Sequence, residues 1–472
     1  MSALVRALHV FSRIAPLAGD EEAGVAAALS RALVRAGERV TVVTRRPPGL
    51  SDAAMESAGL ARRLDPIEVP APSAPLGRVR LTVREGSLAG GAVPAFALEG
   101  PGSEDDEILA AAALELAERR GMWPHVVRAR EDAPHIIAQA EERAPPPGCV
   151  QPASVLLLGE ASARPVPAPL RDALAAAHRI ALPSASYAGE VIERGEGELV
   201  EMLRAKADEV RGIASGVDEA HWNPARDPHL ADLLEPTRAG KAELKRALRR
   251  ELGLAPGPGP LAVALGPFDL LDSDAAEGLA HVGAHLVLAH PPTPGFAVAG
   301  AAAGREPGQG QAGQSGQPGQ AGQPGQNDIP LELARAHPMR VRSVHTDIAL
   351  LHRIVAAADI VLHCHRFAPG GFSPLFSMLY GAVPVAPRSG AFADAVVDWD
   401  PGSRTGTGFL FSPYRPEDMP AAMRRAVRAS ATTEVWDELV ARVTHADLTW
   451  RTVGVRHAEL GREAMRAAHP AD

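Results

Sequence analysis

Two apolar runs, Ala7-Leu8-His9-Val10-Phe11 and Val40-Thr41-Val42-Val43, decide the fold class of this chain. Each is short and apolar, as is typical of a strand buried inside a sheet. Between them, the apolar residues of Val25–Arg35 recur with helical spacing, and Gly37 follows as a glycine that ends the helix. A strand–loop–helix–strand unit of this length predicts two parallel strands joined by a right-handed crossover.

The same alternation of strands and helices continues to the end of the chain. Further strands are predicted at 125–127, 154–158, 178–182, 261–265, 285–289, 360–364 and 383–386, and further helices at 105–120, 188–191, 197–210, 241–252, 348–357, 374–380, 416–430 and 435–442. At 472 residues the chain is too long for a single core. We therefore predict an α/β protein with two doubly wound parallel-sheet domains that face a central cleft.

Changes in composition place the domain boundaries. We predict a first domain at 1–211, a second at 212–445, and a C-terminal segment at 446–472 that returns to the first domain. Residues 304–326 form a Gly/Gln/Pro repeat with almost no apolar side chains, which predicts a disordered insertion.

Charge and cysteine content exclude several classes of protein. A net charge of -9 argues against a surface that binds nucleic acid or an acidic membrane. The cysteines Cys149 and Cys364 stand far apart, so a disulfide framework is not expected. No apolar run is long enough to span a bilayer, and we expect a cytoplasmic protein.

Four stretches of the chain resemble the bacterial glycogen/starch synthase family. Residues 7–17 resemble its opening strand and S-E-x-A-P loop, and residues 216–230 resemble its segment N-G-I-D-x-x-x-W-N-P-x-x-D-P-x-L. Residues 358–409 resemble its donor-site region, which begins A-D-x-x-L-x-P-S-R-F-E-P-C-G-L-T, and residues 446–450 resemble its tail motif D-F-S-W. The resemblance implies the GT-B fold, in which two Rossmann-like domains face each other.

The resemblance also implies an activity. Members of the family transfer glucose, with retention and without a metal ion, from ADP-glucose (some from UDP-glucose) to an α-1,4-glucan. No cofactor is therefore expected, and ADP-glucose is the implied substrate. The implied partners are an α-glucan and a sugar nucleotide, and a non-catalytic relative is expected to pair with an active glycogen synthase. The pyrophosphate leaving group carries negative charge, so the site needs fixed cations and backbone amides.

Several side chains that the family uses for this chemistry are replaced here. Gly19 stands where the loop K-T-G-G-L supplies a lysine to the phosphates, and Pro267 and Asp272 replace the arginine and lysine of S-R-L-T-x-Q-K-G. Ala368 replaces the glutamate that contacts the glucose hydroxyls, and Arg130 replaces the histidine of H-A-H-D-W beside the sugar. The acceptor-side segment is largely missing between 160 and 177. We therefore assign no catalytic residue.

Part of the donor site is retained as backbone. Gly370 and Gly371 precede a predicted helix start at Phe372 and Ser373, where Ser373 is the expected N-cap and the amide groups suit an anion. Arg388 and Thr407 are further candidates for the donor phosphate and nucleotide. An ordinary capped helix explains the same residues equally well, and a structural role also fits Arg388 and Thr407.

Other polar residues have a functional and a structural interpretation. Arg128, beside Arg130, is a candidate replacement cation, although an exposed ion pair explains it better. Lys241 and Lys245 are expected on a surface helix. The pair His363 and His365, with His345 and His352 upstream, is a weak candidate for a metal site, and we assign no metal.

Three functions follow from these observations. The first is an active glucosyltransferase of the glycogen synthase type, with activity that the substitutions greatly reduce or abolish. The second is a non-catalytic relative that binds a glucan or a nucleotide, or regulates an active synthase. The third is a transferase with a different sugar-nucleotide donor and a rebuilt cation cluster.

Overall fold

A computed structural model of the chain describes residues 4–18, 21–71, 74, 77–88, 91–159, 161, 165–217, 222–230, 236–237, 239–290, 329–365, 372–413 and 415–470, without the side chains of 21–22 and 372–374. These residues divide into two compact units. Unit 1 takes its described residues from 1–218 and 449–472, and unit 2 takes them from 219–448. The predicted domain boundaries, after 211 and 445, lie slightly before the observed ones, after 218 and 448. The predicted insertion at 304–326 lies outside the described residues.

The described part of unit 1 contains a nine-stranded sheet. Its strands are β1 (Arg6–Phe11), β2 (Arg39–Arg45), β3 (Arg62–Pro70), β4 (Arg78–Leu88), β5 (Val93–Glu99), β6 (Val126–Arg130), β7 (Ala153–Leu157), β8 (Arg179–Leu182) and β9 (Val210–Gly212). They lie in the order β3-β4-β5-β2-β1-β6-β7-β8-β9. From β5 to β9 all neighbours are parallel, and β3 and β4 extend one edge in antiparallel fashion.

Helices cover both faces of this sheet. They are α1 (Glu21–Arg35), α2 (Asp52–Ser57), α3 (Asp106–Arg119), α4 (His135–Glu142), α5 (Ala168–Ala176), α6 (Ala185–Arg194), α7 (Glu198–Ala205) and α16 (Trp450–Ala468). Because successive strand side chains alternate between faces, Leu8 and Val10 enter one core and Ala7 and Phe11 the other. The last helix, α16, packs against α1 and β7.

The described part of unit 2 contains a six-stranded parallel sheet. Its strands are β10 (Leu261–Leu265), β11 (His285–His290), β12 (Val341–His345), β13 (Ile360–His363), β14 (Val383–Pro387) and β15 (Phe409–Phe411), in the order β12-β11-β10-β13-β14-β15. The helices are α8 (Ala242–Glu251), α9 (Ser273–Ala280), α10 (Ile329–Ala336), α11 (Ile348–Ala357), α12 (Phe372–Leu379), α13 (Gly390–Ala395), α14 (Met419–Ser430) and α15 (Thr433–Thr444). The predicted class, two doubly wound α/β sheets, is confirmed.

Two side chains, Trp222 and Asp227, hold the W-N-P-x-x-D segment in unit 2. The indole of Trp222 is buried and lies flat against His352 and Phe376, with ring centroids 3.9 Å away in both cases. Asp227 accepts hydrogen bonds from His352 (2.7 Å) and from the Tyr380 hydroxyl (2.5 Å). The residues that make this segment recognisable therefore fasten it to α11 and α12.

The D-L-T-W tail motif has a comparable structural role in unit 1. Thr449 pairs with Val217 in an isolated parallel bridge, and the buried Trp450 begins α16. Gly216 lies so close to the backbone of Trp450 that a Cβ there would overlap it. Across the part of the chain that the structure describes, no helix combines the length and the hydropathy of a membrane span.

Candidate functional site

In unit 2, the sheet reverses its winding direction between β10 and β13. Chain order runs outward from this pair, through β11 and β12 on one side and through β14 and β15 on the other. Leu265 at the carboxyl end of β10 lies opposite His363 at the end of β13. In open α/β sheets, ligands bind beside the carboxyl ends of the two strands at such a switch point. The candidate position Pro267 comes shortly after the end of β10.

The loop after β10 carries a carboxylate where the resemblance implies a cation. The amide of Leu270 donates to the carbonyl of Cys364 (2.7 Å), which fixes this loop beside the end of β13. Asp272 is the N-cap of α9, and its Oδ1 accepts the amide of Ala275 at 2.8 Å. An N-cap carboxylate satisfies the free amides of the first turn and neutralises the positive end of the helix. This helix start therefore already holds an anion.

The end of β13 is buried and apolar. His363 and His365 are buried, and burial lowers the pKa of His365 to about 4 and that of His363 well below its usual range. Both ring nitrogens of His363 lack a hydrogen-bond partner among the described residues. Cys364 contacts the sulfur of Met419 at 4.0 Å, and burial raises the pKa of its thiol. At neutral pH these groups are uncharged and supply no cation to the switch point.

The candidates that come next along the chain are only partly described. Ala368, Gly370 and Gly371 lie outside the described residues. α12 begins at Phe372, so Ser373 lies within its first turn and not at the predicted N-cap position. Gly381, which has a φ of 68°, follows the last turn of α12 and confirms the predicted C-terminal glycine.

Arg388 and Thr407 are both engaged with the loop before β15. Arg388 follows β14, is 58% exposed and contacts Asp398 at 3.4 Å. Asp398 also accepts from the Arg425 guanidinium (3.1 Å) and from the Leu410 amide (2.9 Å). The Thr407 hydroxyl accepts the amide of Val397 at 2.9 Å. These contacts give both side chains a structural role in the loop.

Two lysines lie at the opposite edge of the sheet from the switch point. Lys245 donates to both carboxylate oxygens of Asp359 (3.0 and 2.8 Å), the residue that precedes β13. Lys241 is buried and donates to the carbonyl of Ala358, and burial lowers its pKa to about 7. The prediction of a surface helix is wrong for these residues, because their ammonium groups tie α8 to the amino ends of β10 and β13. Neither is placed to meet a ligand at the carboxyl ends.

In unit 1 the corresponding switch point lies between β1 and β6. Ser12, after β1, donates to the carbonyl of Asp132 (2.5 Å) and to the carboxylate of Asp106 (3.1 Å). Burial raises the pKa of Asp106, and Arg45, at the end of β2, pairs with it at 3.2 Å. The sequence analysis did not identify Ser12, Asp106 and Arg45 as candidates. They could have been found from the rule that ligands bind beside the carboxyl ends of the strands at a switch point.

Arg128 and Arg130 are ion-paired, as the sequence favours, but they are buried instead of exposed. The guanidinium of Arg128 is fully buried and binds the carboxylate of Glu38 through two hydrogen bonds of 2.7 and 2.9 Å. A third bond of 3.2 Å reaches the carbonyl of His457 in α16. Arg130 is also buried, with its Nε 3.9 Å from Asp132. The prediction of exposure is wrong because β6 is an interior strand with both faces covered.

The four histidines considered for a metal site do not converge. His352 is held by Asp227, and His345 stacks on His290 with centroids 4.6 Å apart. The rings of His363 and His365 stand 5.8 Å apart at right angles. His290, which the sequence analysis did not single out, ends β11 and donates to or accepts from Ser343 (2.9 Å).

Comparisons with known proteins agree with the fold. The chain is 34% identical over 304 residues to a glycogen synthase of Methylocella silvestris, covering 63% of this chain and 58% of that protein. It is 34% identical over 303 residues to a glycogen synthase of Anaeromyxobacter dehalogenans, covering 62% of this chain and 57% of that protein. The chain thus spans somewhat more than half the length of these curated relatives. No family model matches it.

Solved structures give the same result. The catalytic domain of Starch Synthase IV from Arabidopsis thaliana, bound to ADP and acarbose, superposes with a TM-score of 0.75 at 21% identity, over 98% of this chain and 100% of that one. A sucrose-phosphate synthase from Thermosynechococcus elongatus superposes with a TM-score of 0.56 at 16% identity, over 98% and 100% of the two chains. The two parallel sheets and the superposed structures show a glycogen/starch synthase-like glycosyltransferase fold of the GT-B type. Together with the sequence identity, this fold makes the chain a homologue of the bacterial glycogen synthases.

Proposed function

We propose that this chain is a glycogen synthase homologue that binds an α-glucan or a sugar nucleotide and has lost nearly all glucosyl transfer from ADP-glucose. The proposal concerns the activity of the whole protein. The curated glycogen synthases support it by homology, and the chain matches somewhat more than half of their length. It chooses the second of the three functions that the sequence leaves open.

The observation that carries the proposal is the carboxylate of Asp272 on the first turn of α9. It accepts the amide of Ala275 at 2.8 Å, next to the switch point of unit 2. A departing nucleoside diphosphate brings negative charge to this edge of the sheet. In this chain the diphosphate would face the carboxylate of Asp272, where the resemblance implies a lysine. The same carboxylate already neutralises the positive end of the α9 dipole.

Three basic side chains of unit 2 that the sequence singles out do not offset this loss. Lys241 and Lys245 are bound at the amino ends of the strands, and Arg388 contacts Asp398. Removing one preorganised electrostatic group from an active site costs about 10²–10³ in rate. Two charge changes at once, from cations to Pro267 and Asp272, therefore predict a transfer rate lower by at least roughly 10⁴.

Ligand binding without transfer is supported by what the substitutions leave intact. The two parallel sheets, the Trp222 and Asp227 contacts and the capped end of α12 are all present. One similar solved structure, a starch synthase catalytic domain, holds ADP and acarbose. Binding depends on many contacts spread over a large surface, whereas transfer needs a few charges at one point.

The test compares transfer and binding on the same preparation. The full chain is incubated with radiolabelled ADP-glucose and glycogen, beside the Methylocella silvestris glycogen synthase as the active control. Glucan binding is measured by retardation in native gels that contain glycogen, and nucleotide binding by calorimetric titration with ADP. We expect incorporation equal to the no-enzyme blank together with retardation by glycogen or binding of ADP.

Three results would contradict the proposal. Incorporation within about tenfold of the active control, a loss below ~1.4 kcal/mol in transition-state stabilisation, would mean that the substituted cations are dispensable. Absence of both glycogen retardation and ADP binding would remove the binding function. In a parallel reaction with radiolabelled UDP-glucose, incorporation that is absent with ADP-glucose would replace the proposal by the transferase with a different donor.

A further inference from the structure

Three side chains converge on the surface of unit 2, away from the switch point. The Nε2 atom of His281 lies 2.9 Å from Oε1 of Glu277, and Nε2 of His337 lies 3.3 Å from Oε2 of the same carboxylate. One ligand atom from each of the three residues lies within 4.8 Å of the other two. Within the described part of the chain, these three residues are the one group of His, Cys, Asp or Glu side chains whose ligand atoms lie close enough together to bind a metal ion.

The fold brings the two histidines together. His281 directly follows α9 and precedes β11 by four positions, and His337 stands in the same relation to α10 and β12. Because β11 and β12 are adjacent and parallel, these two helix-to-strand turns lie side by side. Glu277 is one helical turn before His281, so both face the same way from α9. The cluster therefore lies at the amino edge of the sheet, opposite the switch point.

The electrostatics of this position favour a cation. The carboxylate of Glu277 lies within hydrogen-bond distance of both imidazoles. Both histidines directly follow the carboxyl ends of helices, where the helix dipole contributes partial negative charge. Two imidazoles and one carboxylate are the ligands that Zn²⁺ and similar ions prefer.

We propose that Glu277, His281 and His337 form a site for a divalent transition metal of the zinc type. Ligands about 2.1 Å from a tetrahedral ion lie roughly 3.4 Å from each other, close to the two separations observed here. His281 is 63% exposed and Glu277 is 58% exposed, so water can complete the coordination without a desolvation cost. The ion would link α9 to the turn after α10.

This site is separate from the glucosyl-transfer chemistry. It lies at the other edge of the sheet, and the resemblance implies transfer without a metal. Its role would be to fasten α10, the first described helix after residue 290, to the body of unit 2. The inference does not rest on the proposed function, and the two can fail independently.

The experiment titrates the chelator-treated full chain with ZnCl₂ in competition with a zinc-sensitive fluorophore. We expect one equivalent of Zn²⁺, and the variants Glu277→Gln, His281→Gln and His337→Gln should each weaken its binding at least ~10-fold. Substitution with Co²⁺ should give the visible absorption of a tetrahedral ion, which the His281→Gln/His337→Gln double variant should lose.

The matched control removes two other exposed histidines. His445 and His469 are both exposed and lie outside the cluster, so His445→Gln/His469→Gln should bind zinc as the parent chain does. Zinc binding that survives in the double variant of the cluster would overturn the proposal. An equal loss in the control double variant would also overturn it, by showing adventitious binding to surface histidines. Circular dichroism of each variant establishes that the fold is retained.

Discussion

The buried ion pair between Arg128 and Glu38 gives a sharp prediction about stability. Glu38→Ala removes the carboxylate that accepts both 2.7 and 2.9 Å hydrogen bonds from the guanidinium. The remaining bond, to the carbonyl of His457, is 3.2 Å long, and Nε of Arg128 already lacks a partner. A positive charge would then stay fully buried beneath α16 without a counter-ion.

The magnitude follows from that burial. The side chain of Arg128 is 0% exposed and that of Glu38 is 3% exposed, so solvent does not screen the unpaired charge. Removing one partner of a buried ion pair costs about 3–5 kcal/mol. For a protein of this size we expect the melting temperature of unit 1 to fall by roughly 6–20 °C.

The assay is chemical and thermal denaturation followed by circular dichroism, with two variants as controls. Glu459→Ala removes an exposed carboxylate of α16 that pairs with Arg462 at 2.8 Å, and it should cost less than about 1 kcal/mol. Replacing both members, in Arg128→Met/Glu38→Met, should cost less than Glu38→Ala alone because no charge stays buried unpaired. A loss from Glu38→Ala as small as that from Glu459→Ala would refute the structural role of Arg128.

Three further predictions concern packing, hydrogen bonding and pH. Gly461→Ala in α16 should cost about 1–3 kcal/mol, since its Cβ would overlap the buried guanidinium, whereas Gly189→Ala in α6, with open space around it, should gain about 0.5–1 kcal/mol; urea denaturation separates the two signs. Asp227→Ala should lower the stability of unit 2 by about 3 kcal/mol or more, seen as an earlier denaturation midpoint, because three donors lose a charged acceptor. Burial lowers the pKa of His457 to about 3, so the unfolded chain binds a proton below pH ~6.5 that the folded chain does not. Stability should therefore fall as the pH drops from about 6.5 to 4.5, by up to ~1.4 kcal/mol per pH unit for this residue, and His457→Gln should flatten that slope while the exposed-site variant His445→Gln leaves it unchanged.

Most of the interior strands follow directly from the sequence, although β5, between β4 and β2, was not predicted. Parallel strands covered on both faces are continuous apolar runs, so the bounds predicted for β10 (261–265) match those observed. The antiparallel edge formed by β3 and β4 was not predicted. In Arg62–Pro70 only Ile67 and Val69 are buried and the other side chains are at least partly exposed, which gives no apolar run. An edge strand of this kind resembles a polar loop when its partner is unknown.

The environment of charged residues was the least predictable feature of the candidate site. Arg128 and Glu38 are 90 positions apart, and no local pattern indicates that β6 presents one to the other. The same holds for Lys245 and Asp359, which are 114 positions apart. Asp272 is different, because an acidic residue directly before a helix is a recognisable cap, although the sequence led us to treat Asp272 only as the replacement of a lysine.

The most direct test of the account is a transfer measurement on the purified full chain. Labelled ADP-glucose and glycogen are supplied at saturating levels, with the Methylocella silvestris glycogen synthase assayed in parallel. We expect incorporation equal to the no-enzyme blank, because Asp272 places a carboxylate beside the switch point of unit 2, and Lys241 and Lys245 are held at the amino ends of the strands. Incorporation at a rate comparable to that of the active synthase would contradict it.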